Sequence, residues 1–167
     1  MSAGRPIQLP LGIKLRDEAT FASYYPGPNA GVLAATQAFA EPQSSVEECC
    51  LYLWGSEGTG RTHLLQAACH ALADVGGLAM YLPLDELADE GPLLLEGMES
   101  VDLLCLDKLE AVAGRPDWEE ALFHLYNRLR EQGGRLLVAA VAAPRALGLQ
   151  LPDLASRLGW GLVFQLQ

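Results

Sequence analysis

Residues 55–62, Gly-Ser-Glu-Gly-Thr-Gly-Arg-Thr, have a spacing with which a backbone can grip phosphate. Glycines at Gly55, Gly58 and Gly60 let a loop curl until successive N–H groups point inward at an anion. A helix opening directly after the loop adds free donors and the positive end of its dipole. The segment matches the pattern GxxxxGK[ST] at every fixed position except the lysine, which is Arg61 here. Arg61 keeps a positive charge, but a planar guanidinium is bulkier than an ammonium and binds oxygens as a fork. Gly55, Gly58, Thr59, Gly60, Arg61 and Thr62 form the expected nucleotide-phosphate set, with the Thr62 hydroxyl facing Mg²⁺. The ligand-free alternative is a glycine-rich turn between a strand and a helix.

A second group completes the expected chemistry. The apolar run Leu103-Leu104-Cys105-Leu106 ends in Asp107, a carboxylate placed to hold Mg²⁺ opposite Thr62. The next residue is Lys108, where an acid would orient an attacking water, and Glu110 is out of register for that task. Nucleotide binding with weak or no intrinsic ATPase is the expectation. His63, His70 and His124 fall in helical patterns and read as packing residues. The four cysteines, Cys49, Cys50, Cys69 and Cys105, form no CxxC pair and have no metal-ligand spacing, so they read as free thiols of a reducing compartment.

Five short apolar runs must position these groups: 49–55, 78–84, 101–107, 135–141 and 161–166. Nearly continuous apolar strands that alternate with helices imply a parallel sheet covered on both faces. Helical spacing is expected through Val32, Leu33, Ala35, Thr36 and Phe39, over 61–75, over 84–98 with an interruption near Gly91-Pro92, over 117–132, and over 151–158. Residues 1–19 read as an extended arm, followed by a turn-rich stretch through Pro26, Gly27, Pro28 and Asn29. The class is therefore α/β, a five-stranded parallel sheet with a phosphate loop and helices on both faces.

At 167 residues, with 50% hydrophobic and 19% charged, the chain suits one α/β domain. Eleven basic against 21 acidic residues, a formal charge of −10, disfavour direct contact with nucleic acid and favour a protein or small-molecule partner. No apolar run reaches the roughly 18 residues of a membrane span, and the N-terminus lacks a signal-peptide core, so a cytoplasmic chain without membrane contact is expected.

Taken together, TFASYYPGPNAGVLAA, CCLYLWGSEGTGRTHLLQAACHAL, LLCLDKLEAVAG, WEEALFHLYNRL and LPDLASRLGWG resemble the AAA+ module of the DnaA family of bacterial replication initiators, most closely its short Hda group. The resemblance spans nearly the whole chain in order. It implies an AAA+ base over residues 20–167 without the helical lid. Pro26 and Asn29 would lie near the adenine, residues 55–62 around the phosphates, and Asp107 at the Mg²⁺. Arg157 matches the arginine that reaches into a neighbouring subunit's nucleotide, an arginine finger. Gln8, Leu9, Leu11 and Ile13, in QLPLGI, resemble the peptide by which bacterial proteins dock on the DNA sliding clamp, with isoleucine where leucine or phenylalanine is usual. Lys108 and the apolar Ala142 and Ala143 after the fourth strand depart from hydrolytic relatives and favour bound ADP over ATP.

The implied role is a negative regulator of replication initiation: a clamp-bound adaptor that stimulates hydrolysis of the ATP held by DnaA. Contact with DNA would be indirect, and homo-oligomers are possible. The alternatives are a nucleotide-binding scaffold without catalytic effect and an ATPase of the helicase-loader type.

Overall fold

The computed structural model describes residues 14–42 and 47–167. The clamp-like residues Gln8, Leu9, Leu11 and Ile13 lie outside them. Five strands, β1 (Cys50–Trp54), β2 (Ala79–Pro83), β3 (Leu103–Asp107), β4 (Arg135–Ala140) and β5 (Leu162–Gln165), form one sheet in the order β2-β3-β4-β1-β5. Every pairing is parallel, with Tyr52 opposite Val138 and Val163, and Pro83 opposite Asp107. The expected α/β class is observed, because each inner strand buries side chains on both faces.

Alternate residues serve two separate cores. Tyr52, Leu104, Leu106, Leu136 and Val138 point to one layer, and Leu51, Leu53, Cys105, Leu137 and Ala139 to the other. The second layer is covered by α1 (Ala30–Phe39) and α2 (Arg61–Asp74), and the first by α4 (Pro116–Glu131) and α5 (Pro152–Trp160). Helix α4 shows why its sequence forms a helix: Pro116 sits in the first turn, Asp117 and Glu119 near the positive end, and Arg128 and Arg130 near the negative end. Its Trp118, Leu122, Leu125 and Leu129 form the buried stripe. Gly161 lets β5 close on β1, since a Cβ there would overlap the carbonyl oxygen of Cys50.

The helix expected over 84–98 is instead a single turn, α3 (Leu84–Leu87), followed by 3₁₀ turns at Ala88–Glu90, Pro92–Leu95 and Met98–Ser100. Gly91, at φ +87° and ψ 164°, leaves helical geometry, and Pro92 has no N–H to continue the ladder. Leu87, Leu95 and Met98 are still buried, so the apolar spacing was real but is met by successive short turns.

Residues 14–19 lie along α2. The Arg16 N–H donates to Gln66 Oε1 at 2.8 Å, His70 Nε2 meets the Arg16 carbonyl at 2.9 Å, and Ala19 is buried. The four cysteines carry no disulfide. No helix among the described residues is long and apolar enough to cross a membrane.

Candidate functional site

The loop 55–60 leaves the carboxyl end of β1 and enters α2, which is where open parallel sheets place their ligands. Two glycines carry its curvature. Gly58 and Gly60 take φ +83° and +91°, a region that side chains other than glycine rarely enter. Gly60 is also wedged against Tyr24, whose Cε2 would stand 2.6 Å from an added Cβ. The Tyr24 hydroxyl donates to the Thr59 carbonyl at 3.2 Å, and Thr59 Oγ1 donates to the Ser56 carbonyl at 2.8 Å. The loop is thus braced from inside and from the N-terminal segment. Ser56, Glu57 and Gly58 remain exposed at its mouth.

The charged and hydroxyl residues at the start of α2 face inward. Arg61 is only 7% exposed, and its Nη1 is a buried atom without a hydrogen-bond partner. A buried guanidinium with an unspent donor is costly unless an anion completes it. Thr62 Oγ1 donates to Asp107 Oδ2 at 2.6 Å, and the Tyr81 hydroxyl donates to the same oxygen at 2.6 Å. Asp107 is almost fully buried. Burial pushes the Tyr81 phenol well above its usual range, and the neighbouring Asp107 charge and hydrogen bond push it the same way. The sheet therefore brings Thr62 and Asp107 together as expected. A hydroxyl, a carboxylate and an unpartnered guanidinium beside a glycine loop fit a nucleotide phosphate with Mg²⁺.

Around this centre the structure adds roles that the sequence did not disclose. Lys108 adopts φ +56°, and its ammonium pairs with Asp85 at 3.0 Å, so it points to α3. Its pKa is raised, first by the hydrogen bond to Asp85. Glu110 accepts the Val141 N–H at 3.1 Å and so caps the end of β4, while the Tyr52 hydroxyl donates to Ala142 O at 2.6 Å. His63 contacts the Thr20 carbonyl at 2.7 Å and Ser23 Oγ at 3.2 Å, which makes it a strut for the N-terminal segment.

The turn before α1 is tied to the far end of the chain. Asn29 Nδ2 donates to the Gln167 carbonyl at 3.2 Å, and the Gln167 N–H donates to Asn29 Oδ1 at 2.9 Å. Asn29 is buried and its amide is used to join this turn to the residues after β5, beside the loop. Pro26 lies half-buried next to it.

Arg157 is not brought to the loop. It stands on α5 with its guanidinium carbon 4.0 Å from the Trp160 ring centre and 5.8 Å from that of Phe123. Helix α5 is held by Glu119, a fully buried carboxylate of α4. Its Oε1 accepts the N–H groups of Gln150 and Leu151, both at 2.8 Å, and its Oε2 accepts that of Gly114 at 2.7 Å. In sequence Glu119 reads as an ordinary first-turn acid, so nothing there marks it as the staple of α5. A cleft of about 360 Å³ opens at the opposite end of the sheet, lined by Cys49, Arg135 and Gly161 among others, and includes none of the expected site residues.

This strand order, with a phosphate-type loop after β1 and a buried aspartate ending β3, defines an AAA+ type α/β domain. Within that class the likeness is to DnaA. Residues 88–165 match the bacterial DnaA ATPase domain family. The chain is similar to AMPPCP-bound DnaA from Aquifex aeolicus, at 26% identity over 92% of this chain and 51% of that one, with TM-score 0.77. It is similar in fold to domain III of DnaA from Thermotoga maritima, at 24% identity over 93% of this chain and 69% of that one, with TM-score 0.80. The fold is shared with the DnaC helicase loader, at 18% identity over 90% of this chain and 98% of that one, with TM-score 0.68. The chain spans about half the length of the first structures it matches, 50% and 51%.

Proposed function

We propose that this protein is a nucleotide-holding regulator of replication initiation, of the Hda type, that acts on ATP bound to DnaA. Arg157 carries the reading. A cation on α5 away from its own phosphate loop, stacked on aromatic faces and with no carboxylate partner among the described residues, suits a nucleotide supplied by a second subunit. Residues 20–167 serve as an AAA+ base and residues 1–19 as an arm whose Gln8, Leu9, Leu11 and Ile13 dock on the sliding clamp. The acidic balance suits contact with DNA through the clamp rather than directly.

The protein's own nucleotide, ADP by this reading, is held by the loop 55–60, by Arg61, and by Thr62 and Asp107 through Mg²⁺. When bound, Mg²⁺ supplies charge neutralisation at the phosphates. Pro26 and Asn29 shape the adenine side. Lys108 turns toward Asp85, and Glu110 is engaged with Val141, so neither residue orients an attacking water. Intrinsic turnover is accordingly slow.

The test is phosphate release from ATP-loaded DnaA in the presence of clamp and DNA. Adding this protein accelerates release, and both Arg157→Ala and deletion of residues 1–13 abolish the acceleration. Unchanged release on adding the wild-type protein would favour the scaffold alternative and reject this one.

A further inference from the structure

Arg157 meets its neighbours in an unusual way for a surface arginine. Its guanidinium carbon is 4.0 Å from the ring centre of Trp160, three residues further along α5, and 5.8 Å from that of Phe123 on α4. Neither contact uses an N–H donor, and no ion pair of Arg157 occurs among the described residues. Arg128 and Arg115, by contrast, spend donors on Glu99 and on Asp89 with the Ala88 carbonyl.

The distinction matters for chemistry. A carboxylate partner takes the guanidinium by its edge and fills the fork that a phosphoryl group needs. An aromatic ring takes it by its face, partly desolvates it, limits its rotation and leaves the N–H edge free. Trp160 is itself 57% exposed, so its ring is not retained for core packing.

We propose that Trp160 is a positioning residue for Arg157, its indole face holding the guanidinium extended with all donors available to the phosphates of a second subunit's nucleotide. The inference rests on the finger reading of Arg157 given above. A ring that orients without touching the nucleotide changes the maximal rate of stimulated hydrolysis and leaves docking alone. The energy of an exposed cation–π contact corresponds to about a twofold to fivefold change in that rate.

The experiment measures DnaA-bound ATP hydrolysis against the concentration of this protein, with clamp and DNA present, for wild type, Trp160→Leu, Trp160→Phe and Arg157→Ala. Trp160→Leu lowers the maximal rate by about twofold to fivefold at an unchanged half-saturating concentration, and Trp160→Phe restores most of it. In the free protein labelled with 5-fluorotryptophan, the ¹⁹F line assigned to Trp160 shifts on Arg157→Ala. This arm needs no partner. A raised half-saturating concentration at full maximal rate would make Trp160 a docking residue and overturn the proposal. So would failure of the phenylalanine variant to rescue, or a Trp160 line indifferent to Arg157. If Trp160→Leu is silent while Arg157→Ala abolishes stimulation, the positioning role falls and the finger stands. If Arg157→Ala is also silent, both fall.

Discussion

The two ends of the candidate chemistry are built in opposite ways. Around the phosphate loop several groups are answered from within the fold: Asp107 by Thr62 and Tyr81, Gly60 by the packing of Tyr24, and the Thr59 carbonyl by the Tyr24 hydroxyl. The Arg61 guanidinium keeps a buried donor without a partner among the described residues. On α5, Leu154 and Leu158 anchor the helix in the core and Glu119 holds its start, while the half-buried Arg157 and the exposed Trp160 stack on each other outside that core. The loop end is braced by residues of its own fold. Arg157 is left with its face on aromatic rings and its N–H edge without a partner among the described residues.

The contrast makes predictions that differ sharply in size. The largest concerns the staple: Glu119→Ala removes the acceptor of three part-buried backbone N–H groups and costs about 3 kcal/mol in urea unfolding, together with loss of α5 order. Asp107→Ala strands the Tyr81 and Thr62 hydroxyls and costs about 2 kcal/mol, lowering the melting temperature by about 4–8 °C. Tyr81→Phe removes one hydrogen bond and costs about 1 kcal/mol in the same assay. Arg157→Ala stays within about 0.5 kcal/mol of wild type, since its guanidinium meets the fold through ring faces outside the core. If Arg157→Ala destabilised the fold as much as Asp107→Ala, the two ends would not differ as described.

A pH titration probes the buried phenols, Tyr81 beside Asp107 and Tyr126 at the opposite end of the sheet among them. Burial raises the phenol pKa of Tyr81, Tyr52 and Tyr126, with nearby acidic groups adding to it. In the unfolded chain these phenols ionise near pH 10, while in the folded chain they stay protonated. Their contribution is therefore fully present below about pH 10 and is lost as pH rises beyond it. Thermal melts should fall above about pH 10, less steeply in Tyr81→Phe.

Much of this was readable from the chain because the signals are local. The five strands announce themselves as apolar runs, since the inner parallel strands bury both faces, although the edge strand β5 leaves Val163 exposed. The loop announces itself because only glycines permit its curvature. The stretch 84–98 misled because its apolar spacing satisfies a helix and a chain of 3₁₀ turns equally, and Gly91-Pro92 decides between them. Tyr81 and Glu119 were missed because each meets its partners across a gap in sequence: 26 residues for Tyr81 and Asp107, and 31 and 32 for Glu119 with Gln150 and Leu151.

Residue order alone settled the chemical inventory: a glycine loop with arginine for lysine, a strand-end aspartate, an arginine on a short late helix and an acidic balance. Periodicity and backbone chemistry suffice for these, because they act within a few residues. The fold alone decided which groups are spent and which are free. The strand order carries Asp107 to Thr62, the Asn29 amide closes on Gln167, Lys108 turns to Asp85, and α5 lays Arg157 on Trp160 away from the loop. Those outcomes depend on which strands are neighbours and on which buried donors must find acceptors, and both are properties of the packed sheet.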